Sequence, residues 1–164
     1  MFSRSNAGTA EVQGWEFDYR QSLVFLPGIL KGLELGGNFT YLETEGNFGT
    51  TTVTTTSDVA GFIPKAGNVS LSYRYRKFGA RVLFNYTGDY LLTFNAAPSA
   101  RIYLREKKTV NLGLSYRWHP AATFTVDFFN LTGERRKDYR YERSRTRQTY
   151  LPGQLITFGM SGQF

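Results

Sequence analysis

The chain of 164 residues contains no cysteine and a single histidine, His119. The first absence excludes disulfides and thiolate metal sites, and the second excludes a multi-histidine centre. No run of about 18 apolar residues occurs, so no apolar helix is expected to cross a membrane. The opening residues, Met1-Phe2-Ser3-Arg4-Ser5-Asn6-Ala7-Gly8, lack the apolar core of a signal peptide. If the protein crosses a membrane, its export address is expected to be missing or removed. A nucleophile–base pair, a phosphate-cradling glycine loop and a metal-ligand constellation are equally absent. The sequence therefore predicts no enzyme, no catalytic residue, no cofactor and no metal. His119 reads as a turn residue beside Pro120.

Aromatic side chains are abundant, at 16%, and so is glycine, with 17 residues. The net charge of +7 is uneven: Glu134–Arg147 holds seven Arg and Lys against three acids, more than half of the excess. A positive total suggests an anionic partner. Arginine interleaved with tyrosine also suits single-stranded nucleic acid, but no nucleic-acid module accompanies it, so nucleic acid is not expected.

Seven stretches alternate with a period of two, the mark of strands with one apolar face. They lie near 9–25, 31–43, 68–76, 80–90, 104–118, 122–130 and 154–164. In the first, Trp15, Phe17 and Tyr19 oppose Glu16, Asp18 and Arg20. In the fourth, Val82, Phe84 and Tyr86 oppose Arg81, Asn85 and Thr87, with Leu83 out of pattern. In the last, Ile156, Phe158, Met160, Gly162 and Phe164 share a face. No helix is convincing. The connections alternate, short at 26–30, 77–79 and 119–121 and long at 44–67, 91–103 and 131–153, which are all read as loops.

That alternation, charges inside the polar faces, aromatics at both strand ends and a span of about ten residues per strand together predict a lipid-facing sheet. The fold expected is all-β: an antiparallel meander of about seven long amphipathic strands forming part of a transmembrane β-barrel. Seven is odd, and bare edges are costly in lipid. The chain is therefore expected to be a piece of a larger barrel, with the last strand an edge whose partner is missing. Two competing readings are a small autonomous outer-membrane barrel with a structural or adhesive role and a soluble β-sandwich binding module.

Several strings resemble one family. They are Asn6-Ala7-Gly8, Gly14-Trp15-Glu16, Leu26-Pro27-Gly28-Ile29-Leu30-Lys31-Gly32-Leu33, Ile63-Pro64-Lys65, Asn68-Val69-Ser70-Leu71-Ser72-Tyr73, Val126-Asp127-Phe128-Phe129-Asn130-Leu131-Thr132 and Pro152-Gly153. In this order they resemble the C-terminal barrel segment of a TonB-dependent outer-membrane receptor, over residues 1–164 and without a plug domain. The resemblance implies a cell outer membrane location and a role in importing a chelated metal, such as an iron–siderophore, or another nutrient. In the parent protein it implies a 22-stranded barrel, a plug domain and the TonB complex as partners. Outer-membrane lipid, lipopolysaccharide and the barrel-assembly machinery complete the implied partners, with Phe164 as the assembly signal.

The ligand-binding candidates lie in the long connection 132–150: Arg135, Arg136, Lys137, Tyr139, Arg140, Tyr141, Arg143, Arg145 and Arg147. They suit an anionic ligand or lipopolysaccharide phosphates; the competing reading is a solvated loop partly neutralised by Glu134, Asp138 and Glu142. Glu16, Asp18, Arg74, Arg81, Arg117 and Asp127 are the lumen-facing or plug-facing candidates, set against mutual pairing within the wall.

Overall fold

A computed structural model describes residues 9–47 and 56–162. In chain order its strands are β1 (Ala10–Ser22), β2 (Leu33–Asn47), β3 (Thr56–Ser57), β4 (Lys65–Tyr75), β5 (Phe78–Thr87), β6 (Tyr90–Thr93), β7 (Ile102–Leu104), β8 (Lys107–His119), β9 (Ala122–Phe129), β10 (Arg136–Arg140), β11 (Thr146–Tyr150) and β12 (Leu155–Gly162). The larger sheet runs β1-β2-β4-β5-β8-β9-β12, with β3 beside β2, and all its pairings are antiparallel.

The register carries the sequence pattern across the sheet. Residues opposite one another share a face, so one row reads Leu35, Leu71, Val82, Leu112, Phe128, Ile156 from β2 to β12. The adjacent row, on the other face, reads Glu34, Ser72, Arg81, Gly113, Asp127, Thr157. Rings reinforce the apolar rows near both strand ends: Trp15 lies 5.6 Å from Phe39, and Phe78 lies 4.8 Å from Tyr116.

The short connections differ in construction. Between β4 and β5, Arg76 takes a φ of 52°, a left-handed position filled without glycine. Between β1 and β2 the chain makes a 3-10 turn, Gly28–Gly32, which folds against β4. Its last residue has no room for a side chain, since a Cβ on Gly32 would run into the carbonyl of Arg74. His119 does serve its turn: Nδ1 accepts the Ala121 N–H at 3.3 Å.

Two expectations need correction. A barrel closes only when its first and last strands pair. Among the described residues β1 pairs only with β2, and β12 only with β9, so the sheet is open. The expected transmembrane β-barrel gives way to an all-β fold of two separate open sheets. The second correction concerns the connections read as loops. The second sheet, ordered β11-β10-β7-β6, is built from the long connections on either side of β8 and β9. The expected fifth strand from Leu104 is likewise split, because Arg105 turns its N–H to the Lys137 carbonyl at 2.9 Å and Glu106 gives its N–H to Asp89. Phe164 lies outside the described residues.

Little of the chain is enclosed. The accessible surface is 12070 Å² for 18.7 kDa, whereas a compact monomer of that mass exposes about 8,300 Å². Among the described residues the buried apolar ones, Leu91, Leu104 and Tyr139, all belong to the second sheet. In the larger sheet Phe158 is 80% exposed and Trp118 63%.

The turn packing predicts a contrast between two glycines. Gly32→Ala should destabilise the fold by about 1–3 kcal/mol, since backbone must move to admit the methyl group. Gly36→Ala meets the Ser70 hydroxyl at 3.1 Å, which can rotate away, and should cost less than about 1 kcal/mol. Denaturant midpoints of the two variants check this; equal shifts count against the packing of the turn on β4.

Candidate functional site

The β10–β11 hairpin carries most of the excess charge and leaves and rejoins the larger sheet at Asn130. That residue has a φ of 54°, uncommon outside glycine and tolerated best by Asn. Its Oδ1 accepts the Glu134 N–H at 2.8 Å, and its Nδ2 donates to the carbonyls of Glu134 at 3.1 Å and Gly153 at 2.8 Å. Its own N–H donates to Asn111 Oδ1 at 2.9 Å. Gln154 Nε2 donates to the Leu131 carbonyl at 2.7 Å beside it. Both ends of the excursion are thereby fastened at one place.

Above this clasp the strands pair tightly. Asp138 and Tyr139 of β10 stand opposite Leu104 and Tyr103 of β7, and the two tyrosine rings stack at 5.4 Å. Asp138 is 2% exposed and is the buried acid of the second sheet. It survives there because Arg147 donates to it from β11, Nη2 to Oδ2 at 2.8 Å and Nε to Oδ1 at 3.4 Å. That hydrogen bond holds the Asp138 carboxyl below its ordinary value, against the upward push of burial.

A second aspartate fastens the hairpin tip. Asp89, between β5 and β6, accepts Arg143 Nε at 2.7 Å and the Tyr139 hydroxyl at 3.3 Å on Oδ2, and the Glu106 N–H on Oδ1. Arg143 also lies 3.8 Å from Glu106, and its carbonyl accepts from Arg105. Burial, then the Asp89 carboxylate, pushes the Tyr139 hydroxyl up. Asp89, Asn130, Tyr103 and Glu106 were not among the residues singled out from sequence. The signal available was small: an Asn-Leu-Thr-Gly string at a strand end for Asn130, and for Asp89 an isolated acid after Gly88.

The structure divides the nine hairpin candidates. Arg143, Arg147 and Tyr139 hold the sheet together. Arg136 rests its guanidinium 5.5 Å from the Tyr150 ring. Arg135, Lys137, Arg140 and Arg145 enter no ion pair among the described residues, and Tyr141 is 56% exposed at the turn with a φ of 58°. Arg135 and Lys137 also border a hollow of 260 Å³ with Glu134. The arrangement presents Arg135, Arg140 and Arg145 to solvent and leaves Lys137 half-buried, all four outside any ion pair among the described residues, on a hairpin fixed at its base and flank, which suits recognition of an anion.

The six charges expected on the polar face all lie in strands of the larger sheet, and none joins an ion pair among the described residues. Glu16 accepts the Thr40 hydroxyl at 3.5 Å, and Asp18 stands opposite Asn38. Arg117 stands opposite Thr123. The described residues contain no group of three or more acidic, His or Cys side chains able to hold a metal ion.

Acid should loosen the second sheet first. A depressed carboxyl contributes stability that is complete above its ordinary value of 3.8 and is lost as pH falls through the lower folded value. The near-UV signal of the stacked Tyr103–Tyr139 pair should therefore hold from neutral pH to about 4 and fall below it. Arg147→Gln should move that loss to higher pH. An unchanged titration in the variant counts against the Asp138–Arg147 pair as the determinant.

Residues 2–131 match the model of a protein family described as TonB dependent receptor-like, beta-barrel. No curated protein and no solved structure matches the chain.

Proposed function

The chain belongs to the TonB dependent receptor-like, beta-barrel family, and we propose that it acts in receptor-mediated uptake at the outer membrane. Proteins of this family serve transport and are not enzymes. The solute is a chelated metal or another nutrient that carries negative charge. The observation that carries this reading is the set of hairpin cations without an ion pair among the described residues, Arg135, Lys137, Arg140 and Arg145, beside Arg143, Arg147 and Arg136, which are engaged within the fold. They form the ligand-facing surface, while Arg143 and Arg147 set its shape. Outer-membrane lipid and lipopolysaccharide are the partners of the exposed apolar face, and a plug domain and the TonB complex those of the parent receptor.

The open larger sheet favours a second reading, a soluble binding module. Two sheets without ring closure do not require lipid, and a partner protein could cover the apolar rows.

One fractionation separates the two. The full chain, exported behind a signal peptide, is expected to sediment with outer membranes and to need detergent for release. A soluble monomer that unfolds cooperatively without detergent supports the second reading and rejects the first. Within the first, Arg140→Gln with Arg145→Gln should weaken binding of a tricarboxylate such as citrate by about tenfold, two exposed charge contacts being worth about 1.4 kcal/mol together. Unchanged affinity removes the hairpin from ligand recognition.

A further inference from the structure

We propose that the polar face of the larger sheet carries a separate binding site for a small polyanion, at the end where the connections are short. The site is a groove of 610 Å³, within the range of small-ligand sites. Its cations are Arg20, Lys31, Arg74 and Arg81, and its acids Glu34 and Asp127. Glu34 is already taken by Arg20, Nε to Oε1 at 3.3 Å. Lys31, Arg74 and Arg81 have no acid partner among the described residues.

The placement of the two arginines points to a shared ligand. Arg74 stands opposite Gly79, and Arg81 stands between Ser72 and Gly113. The two are diagonal neighbours across β4 and β5, a separation of about 7–8 Å. Each therefore has a glycine on a neighbouring strand; the Ser115 hydroxyl reaches over Gly79 beside Arg74, and the Asp127 carboxylate over Gly113 beside Arg81. Like charges at this separation repel, and an anion seated between them removes the repulsion. Ser72 and Ser115 supply hydroxyls on the floor, and Ser115 is only loosely engaged, to the Gly79 carbonyl at 3.5 Å.

The 3-10 turn closes one end of the groove. Gly32 packs on the Arg74 backbone, which brings Lys31 to the same rim. Asp127 closes the other side. It stands opposite Gly113, with a carboxylate oxygen 2.9 Å from where a Gly113 Cβ would lie. That carboxylate faces the Arg81 side of the groove and opposes any anion placed there, so the ligand sits toward Arg74 and Lys31. Three cations in a concave site against one unpaired acid favour compact ligands with two or more negative oxygens, polycarboxylates or phosphate esters, over monoanions.

The test uses the full chain in detergent at low ionic strength, with calorimetric titration of citrate and tripolyphosphate and with acetate as the monoanion. Arg74→Gln with Arg81→Gln should weaken binding of both polyanions about tenfold or more, and Asp127→Asn should tighten it. The Arg140→Gln/Arg145→Gln hairpin variant should leave this component unchanged, so loss of either site leaves the other readable. Citrate binding without tripolyphosphate binding, or the reverse, assigns the source as carboxylate or phosphate. The proposal is overturned if neither polyanion binds, if acetate binds equally well, or if Asp127→Asn weakens binding in a protein whose unfolding midpoint is unchanged. It is also overturned if the hairpin variant abolishes the component that the groove arginines were to explain.

Discussion

Everything in the larger sheet depends on the backbone ladder being in one register across its path from β1 to β12. Side chains alternate with a period of two, so a slip of one residue in any strand sends its whole apolar set to the opposite face. The observed pairing leaves no such conflict between the row from Leu35 to Ile156 and the row from Glu34 to Thr157. No buried core enforces the arrangement, since among the described residues the large apolar side chains of these strands are half-buried or exposed. The hydrogen-bonded ladder and the neighbouring rings hold it, and the apolar face remains a surface that must meet lipid or another protein.

The alternation made this sheet legible from sequence, because both of its faces have a composition of their own. The second sheet left no comparable trace. Arg136–Arg140 and Thr146–Tyr150 contain too few apolar residues to show a period. Their strand character comes from partners distant in the chain, with Tyr139 held by Tyr103 and Asp89 and Asp138 held by Arg147. The strands are also short, and β7 spans three residues, below what a periodicity reading resolves. Closure was not legible either: amphipathic strands with alternating connection lengths are compatible with a ring, and only the pairing of the outermost strands distinguishes a ring from an open sheet.

Arginine, the commonest candidate residue, proved to be several kinds of residue. Arg147 neutralises a buried carboxylate, Arg143 spans two connections, Arg136 lies against a tyrosine ring, and Arg140 and Arg145 face solvent without an ion pair among the described residues. Residue type and spacing cannot sort these roles, because each is defined by an acid or ring supplied from elsewhere in the fold. The same holds on the polar face, where Arg20 has Glu34 across the β1–β2 ladder and Arg74 and Arg81 have glycines beside them. Even there the next strand supplies the neighbour, since Ser115 reaches over Gly79 and Asp127 over Gly113.

The clasp at Asn130 bears on how such a protein changes over time. One side chain joins the carbonyls of Glu134 and Gly153, so the excursion between them begins and ends at a common anchor. Its length and contents can then vary with little strain transmitted to β9 or β12, because loop closure costs rise only slowly with length. Toward the larger sheet the hairpin is thus separable, and what its tip must keep is its hold on Asp89 and β7.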